Sequence, residues 1–163
     1  MNEQIDLMHG NDWTGQDVSG WIVSEKLNGH RVRWTGKKLL SRSGIEINAP
    51  KWFTANLPDF ALDCELWAGR GKDHNDVKKL MAKGDFTALQ LVAFDVPGMN
   101  ESKARLVLNS LVCAVRFSVV DSIDAAKQLM LRIVSEGGEG IMLRKPGSEY
   151  LPCRNDNLLK MKP

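Results

Sequence analysis

The chain has 163 residues, which suits one compact domain and excludes a second full one, and its 43% hydrophobic and 26% charged residues exclude disorder and fibrous repeats. Twenty-two basic and 20 acidic side chains give a net charge of +2, which excludes nucleic-acid binding by overall charge. Any nucleic-acid contact therefore needs a local basic surface. Three irregularly spaced cysteines exclude a disulfide framework or zinc site. With no signal peptide and no apolar run near 18 residues, we expect no membrane segment and a cytoplasmic location.

Strand patterns dominate the first half of the chain. Alternating apolar and polar residues predict strands over 21–27 and 30–34. A third strand, 38–42, is predicted after the Thr35-Gly36 turn, and a fourth covers 60–67. Asn28 and Gly29 lie between the first two, and this dipeptide is typical of a tight β-hairpin. We therefore expect a mainly antiparallel sheet with a hairpin at this point.

Helices enter after these strands. Asp73 with Asp76 three residues on is an N-cap pattern, and Gly137-Gly138 is a helix-ending signal after a clear apolar stripe. The predicted helices cover 73–83, 102–111 and 122–136. Further strands are predicted at 89–95, 116–120, 140–145 and 157–162. The whole pattern is mixed α+β.

Six short motifs follow one another along the chain. They are Lys26-x-Asn28-Gly29-x-Arg31, Ser41-Arg-Ser-Gly44, Asp63-Cys-Glu65, Ala93-Phe-Asp95, Glu139-Gly-Ile-Met142 and Lys160-Met-Lys162. A lysine beside an Asn-Gly turn is uninformative alone. The ordered set, however, resembles the covalent nucleotidyltransferase superfamily, which contains DNA ligases, RNA ligases and mRNA capping enzymes. Stretches 23–29, 40–44, 47–54 and 65–71 are similar to the minimal ATP-dependent DNA ligases of bacteria and their phages, and the resemblance covers nearly the whole chain.

The resemblance implies a fold, an activity and partners. The implied fold is an α+β nucleotidyltransferase (ATP-grasp-like) fold of two mainly antiparallel sheets flanked by helices, with ATP between the sheets. Residues 1–163 are expected to form one adenylation domain without the OB-fold domain of relatives. The implied activity is nick sealing through a covalent lysyl-AMP intermediate, in DNA repair, replication and recombination. The expected partner is nicked double-stranded DNA, bound by a monomer, and an OB-fold module acting in trans is left open.

The resemblance also implies a role for particular residues. Lys26 is expected to carry AMP; a lysine with the ordinary pKa near 10.4 is almost wholly protonated at neutral pH, and nearby positive charge lowers such a pKa. Lys160 and Lys162 are expected to supply that charge and to hold the α-phosphate. The residues assigned to the nucleotide are Glu25, Arg31, Arg42, Glu65, Phe94, Lys160 and Lys162.

Metal and polynucleotide contacts complete the expected site. Phosphoryl transfer from ATP needs Mg²⁺ (or Mn²⁺), and the resemblance assigns the metal to Glu139 and Glu65. Phe94 is expected to stack on adenine, although core packing explains an aromatic residue at the end of an apolar strand equally well. The residues assigned to nucleic acid are Arg31, Arg33 and Arg42. The three histidines have no metal-binding spacing and receive no role.

Three departures from the family weaken the assignment and keep alternatives open. Asn28 stands where most DNA ligases have aspartate, which together with the missing OB-fold leaves room for an RNA ligase. Cys64 replaces the usual glycine and adds a side chain to a strand expected near the nucleotide. A non-catalytic nucleotide- or nucleic-acid-binding remnant is the third interpretation, and a capping enzyme fits the flanking residues least. Without an OB-fold we expect slow AMP uptake and weak, salt-sensitive nick binding.

Overall fold

The computed structural model describes residues 6–163, which form two β-sheets with helices on their outer faces. The strands are β1 (His9–Asp12), β2 (Ile22–Lys26), β3 (His30–Trp34), β4 (Leu39–Ser41), β5 (Leu62–Trp67), β6 (Gln90–Asp95), β7 (Ser118–Val119), β8 (Gly140–Arg144) and β9 (Arg154–Met161). The helices are α1 (Lys51–Thr54), α2 (His74–Ala82), α3 (Glu101–Leu108) and α4 (Ile123–Ser135), with a 3₁₀ turn at Phe86–Ala88. None of these helices is long and apolar enough to cross a membrane.

The five-stranded sheet has the order β1-β9-β8-β2-β7. Its pairings are antiparallel except that β1 runs parallel to β9. Because side chains alternate across a strand, Val23, Ile141 and Leu159 point to one face and are fully buried there against α4. The opposite face carries Lys26 and Lys160 together with apolar side chains of the same strands.

The four-stranded sheet has the order β4-β3-β5-β6 and is antiparallel throughout. Its outer face carries Val32, Trp34 and Leu66 into a second core with Val77 of α2. Cys64 lies in this core with no exposed surface. The side chain that replaces the family glycine therefore points away from the inner face of the sheet, and it does not crowd a nucleotide site.

The helix signals of the sequence are confirmed. The Asp73 side chain accepts a hydrogen bond from the Asp76 amide and the reciprocal bond is present, so α2 begins with a capping box. Ser122 caps α4, and Gly137 ends it with φ +96°, a conformation that only glycine adopts without strain. The predicted apolar stripe of α4 is the face that packs on the five-stranded sheet.

The predicted hairpin at Asn28-Gly29 is wrong. β2 and β3 lie in different sheets, so this dipeptide carries the chain from one sheet to the other. Gly29 does not have a positive φ, which the tight hairpin turn requires. Glycine is needed instead because a Cβ here would lie 2.0 Å from the Leu66 carbonyl oxygen on β5.

Some short elements were not predicted. β1, with the sequence His-Gly-Asn-Asp, lacks alternation, and its pairing with β9 joins residues about as far apart as the chain allows. α1 and the 3₁₀ turn are each one turn long, too short for a periodic signal. β7 covers two of the five residues expected in a strand, and β9 begins at Arg154, three residues earlier than predicted.

Candidate active site

A cavity of about 390 Å³ lies between the inner faces of the two sheets. Alternation along β2 directs Ser24 and Lys26 into it while Val23 enters the core. Met142 and Lys160 line it from the neighbouring strands. Seven predicted site residues meet at this cavity: Glu25, Lys26, Arg31, Arg42, Glu65, Phe94 and Lys160.

Lys26 ends β2, and its ammonium group is paired with a carboxylate. Nζ donates a hydrogen bond of 2.8 Å to Glu139 Oε1, and 19% of the lysine side chain is exposed. Glu139 immediately precedes β8, where Gly140 lies opposite Lys26 in the sheet. A Cβ on Gly140 would approach the Met161 carbonyl oxygen to 2.4 Å, so β9 packs closely on this position. The Lys26–Glu139 pair is therefore fixed by strand register.

Lys160 and Lys162 lie near Lys26, but each has an acidic neighbour. Lys160 Nζ is 3.5 Å from Asp12 Oδ1, and Lys162 Nζ is 4.0 Å from Glu139 Oε1. Lys160 lines the cavity, whereas Lys162 follows the end of β9 and does not. The predicted positive surroundings of Lys26 are thus partly compensated by carboxylates, which the sequence pattern did not indicate.

Arg31 is held in the cavity wall by a buried network. Its Nε and Nη2 donate to the two oxygens of Asp63 at 2.8 and 2.5 Å, and Nη2 also donates to the Met8 carbonyl at 2.8 Å. The Tyr150 hydroxyl donates to Asp63 Oδ2 at 2.7 Å, and burial raises the pKa of this tyrosine. The guanidinium carbon lies 5.0 Å from the centre of the Phe94 ring. Arg31 thus lies over the ring that is expected to stack on adenine.

Glu65 lies beside the turn that follows Lys26. Its Oε2 accepts a hydrogen bond of 3.0 Å from the Gly29 amide, and burial raises its pKa to about 7. The Gly29 carbonyl oxygen is 3.2 Å from Nδ1 of His74, which is itself 3.3 Å from Nδ1 of His30. All three histidines of the chain line the cavity, although no role was predicted for them, and burial lowers the pKa of His9 and His30.

The remaining arginines occupy different places. Arg42 is exposed at the cavity mouth, and Arg154, which sequence reasoning missed, lines the same cavity and donates to the Gly10 carbonyl at 2.6 Å. Arg33 does not line the cavity, and its Nε is buried without a hydrogen-bond partner among residues 6–163. Arg144 pairs with Asp95 in the wall and anchors the loop after β8 through Ser148. Among residues 6–163, Arg42 and Arg154 are the cavity-lining arginines in exposed positions, whereas Arg105 is half-buried and paired with Glu101.

Glu25 lines the cavity, but its carboxylate is already paired. Arg70 binds both of its oxygens, at 2.9 and 3.0 Å. The stretch 65–71 contains this arginine between two glycines, a setting that signals an irregular loop but not its partner. The predicted nucleotide contact of the Glu25 side chain therefore competes with an existing ion pair.

One carboxylate in the site fits a divalent cation. Glu139 Oε2 is buried and has no hydrogen-bond partner among the described residues, while Oε1 binds Lys26. No group of three or more acidic, histidine or cysteine side chains in residues 6–163 could hold a metal ion by itself. Mg²⁺ commonly binds through one or two carboxylates together with phosphate oxygens and water, so Glu139 fits a cation shared with a bound nucleotide.

A sequence profile described as the ATP dependent DNA ligase domain matches residues 15–162. The chain belongs to this family. The DNA ligase of Haemophilus influenzae is 30% identical over 169 aligned positions, which cover 96% of this chain and 63% of that ligase. This family member thus spans less than two thirds of the length of that relative.

Solved ligase structures share the fold. A Lig E DNA ligase, described in work on DNA binding with a minimal scaffold, superposes with a TM-score of 0.86 at 30% identity and covers 96% of this chain and 68% of its own. The Chlorella virus DNA ligase-adenylate gives 0.75 at 18% identity, with 97% and 67% covered. The bacteriophage T7 ligase bound to ATP gives 0.73 at 14% identity, with 97% and 68% covered. The resemblance to minimal ATP-dependent DNA ligases and the α+β nucleotidyltransferase fold are both confirmed.

Proposed function

We propose that this chain is an ATP-dependent DNA ligase that seals nicks through a lysyl-AMP intermediate on Lys26. The observation that carries the proposal is the position of Lys26, whose amine enters the cavity between the sheets and contacts Glu139 at 2.8 Å. Family membership and relatives named DNA ligases support it. The proposal deepens the family assignment to a residue and a reaction.

The first step forms a phosphoramidate (N–P) bond on Lys26. Its Nζ attacks the α-phosphorus of ATP, the N–P bond forms, and the bond from phosphorus to the bridging oxygen breaks to release pyrophosphate. Nζ must lose its ammonium proton before it attacks and a second proton as the N–P bond forms; Glu139 Oε1 is within reach to accept one of them, and the other passes to solvent. Phe94, which lies under Arg31, offers a face for adenine, and Lys160 offers positive charge to the phosphate.

Glu139 is also the residue that would hold Mg²⁺ or Mn²⁺, through its second oxygen. When bound, the cation neutralises negative charge on phosphate oxygens. Glu65 was expected to share this role, but its Oε2 already accepts from Gly29, so we propose that Glu65 contacts a ribose hydroxyl or the turn and not the metal.

The later steps need DNA at the cavity mouth. A 5′-phosphate oxygen at a nick attacks the lysyl-AMP phosphorus, the N–P bond breaks, and Lys26 leaves as an amine that takes up a proton. The 3′-hydroxyl oxygen then attacks the 5′-phosphorus, loses its proton to solvent and displaces AMP. Arg42 and Arg154 are exposed there and suit phosphate oxygens. We propose a monomer as the active form, because one chain supplies all of these residues, and a cytoplasmic role in repair, replication and recombination.

Intact-mass measurement after incubation with ATP and Mg²⁺ tests the first step. We expect one added AMP per chain, no addition to the Lys26→Ala variant, and normal addition to Lys37→Ala, an exposed lysine outside the cavity. If the wild-type chain takes up no AMP, the ligase proposal is wrong and the non-catalytic interpretation gains support.

A sealing assay separates DNA from RNA ligation. The AMP-loaded chain is mixed with a nicked DNA duplex or with nicked RNA on a splint, and products are resolved on a gel. We expect sealing of DNA and loss of sealing in Arg42→Ala. Sealing of RNA alone would replace the proposal with the RNA-ligase interpretation that Asn28 leaves open.

A further inference from the structure

The Arg70 side chain links three segments of the chain beside Lys26. It lies in the loop after β5 of the four-stranded sheet, and its Nε and Nη2 bind both oxygens of Glu25. Its Nη1 donates to Glu136 Oε2 at 2.7 Å. Glu25 directly precedes Lys26 on β2, and Glu136 is the C-cap of α4, three residues before Glu139. One guanidinium group thus joins the segment that carries Lys26 to the segment that carries its partner.

Backbone packing supports the same junction. The Gly71 amide donates to the Gly137 carbonyl at 3.2 Å, so the loop and the helix end are joined twice. A Cβ on Gly138 would lie 2.4 Å from Ile133 Cγ2 and 2.8 Å from Glu25 Oε1. Gly138 therefore lets the helix end, the Glu25 carboxylate and the Arg70 loop approach one another closely.

We propose that Arg70 is a positioning residue, which acts through Glu25 and Glu136 to hold Lys26 and Glu139 in the geometry required for AMP transfer. This inference rests on the proposed function and adds a residue to it. The planar fork of arginine matches a carboxylate in two bonds at once, which a lysine cannot reproduce.

The expected effect is on rate and not on stability. The Arg70 side chain is 34% exposed and the Glu136 side chain 55% exposed, and ion pairs in such positions contribute little to folding. A small displacement of reacting groups, by contrast, lowers a rate by roughly 10- to 100-fold. A merely structural ion pair and a positioning residue are therefore separable by experiment.

The test compares Arg70→Lys and Arg70→Ala with Arg132→Lys and Arg132→Ala. Arg132 is an exposed arginine on α4 that forms no ion pair within residues 6–163, so it controls for loss of charge nearby. We expect both Arg70 variants to lose about 10-fold or more in the maximal rate of AMP loading. We expect the KM for ATP and the thermal midpoint to stay close to wild type, and Glu25→Gln to reproduce the rate loss. Full-rate loading by both Arg70 variants overturns the proposal.

A second measurement needs no ATP. The rate at which an amine-reactive reagent labels Lys26, read by peptide mass, reports whether its amine is held by Glu139. We expect faster labelling of Lys26 in Arg70→Ala and unchanged labelling in Arg132→Ala. Unchanged labelling in Arg70→Ala overturns the positional role whether or not the chain takes up AMP, whereas absence of loading in wild type counts only against the ligase activity.

Discussion

Glu65 is a carboxyl group whose protonation is coupled to folding. Burial in the cavity wall raises its pKa from 4.5 to about 7. The folded state therefore binds more protons than the unfolded state between these two values, and stability falls as pH rises through that window. The loss is nearly complete about one pH unit above the folded-state pKa, where both states are deprotonated at this group.

The variant Glu65→Gln removes this proton linkage while keeping an oxygen for the Gly29 amide. We expect the wild type to lose up to about 3 kcal/mol relative to the variant between pH 5 and 8. Urea unfolding at pH 5, 6, 7 and 8 measures the difference. Glu149→Gln, at an exposed position, serves as the control, and parallel pH profiles for wild type and Glu65→Gln would contradict the assignment.

The positions of the site residues were predictable to different degrees. The ordered motifs were sufficient to predict that Lys26, Glu65 and Phe94 belong to one site, and in the structure all three line one cavity. The network around Arg31 was not predictable. Tyr150 and Asp63 are 87 positions apart in the sequence, and no local pattern indicates a contact over such a separation. The ion pairs of Arg70 were not predictable for the same reason, because its partners are 45 and 66 residues away in the sequence.

At the scale of elements, the link between β2 and β3 decides where Lys26 points. Gly29 is held by Glu65 at its amide, and β5 packs against its Cα. The Asn-Gly pattern predicts a hairpin from local conformational preference alone. The chain between β2 and β3 packs on β5, and this packing places the two strands in different sheets. Such a contact between distant segments cannot be predicted from local conformational preference. The helices α2 and α4 were predictable because their caps and apolar stripes are local.

Replacing Gly29 by alanine tests this packing. The added methyl would meet the Leu66 carbonyl oxygen at 2.0 Å, so the link must move, and we expect a loss of roughly 1–3 kcal/mol in the free energy of unfolding. Gly84→Ala is the matched control, since its Cβ meets nothing within 4 Å and only its φ of +68° is unfavourable. Urea midpoints rank the two, and a smaller loss for Gly29→Ala would argue against the clash.

At the scale of the whole molecule, the two sheets share little besides the cavity and the contacts around it. Each sheet has its own core, one against α4 and the other against α2 and α3. A ligand between the sheets should therefore stabilise the folded chain as a unit. The expectation that residues 1–163 form one domain without an OB-fold stays a prediction.

Thermal unfolding of the Lys26→Ala variant with ATP measures this stabilisation by a bound ligand, because the variant cannot form the covalent bond to AMP. At about 100 times the dissociation constant, binding adds about 2.7 kcal/mol, which raises the midpoint by roughly 5–10 °C for a chain of this size. We expect Phe94→Ala in the same background to lose most of the shift and Leu106→Ala, an exposed side chain, to keep it. A full shift in Phe94→Ala would place adenine elsewhere.

The order of the five-stranded sheet also bears on when the site can form during synthesis. β9, residues 154–161, is an inner strand between β1 and β8, and it supplies Lys160 to the cavity. While a ribosome still holds that segment, β1 has no partner and β8 has an open edge beside Lys26. The nascent chain can therefore complete its four-stranded sheet early, but the sheet that carries Lys26 closes only after β9 has been translated.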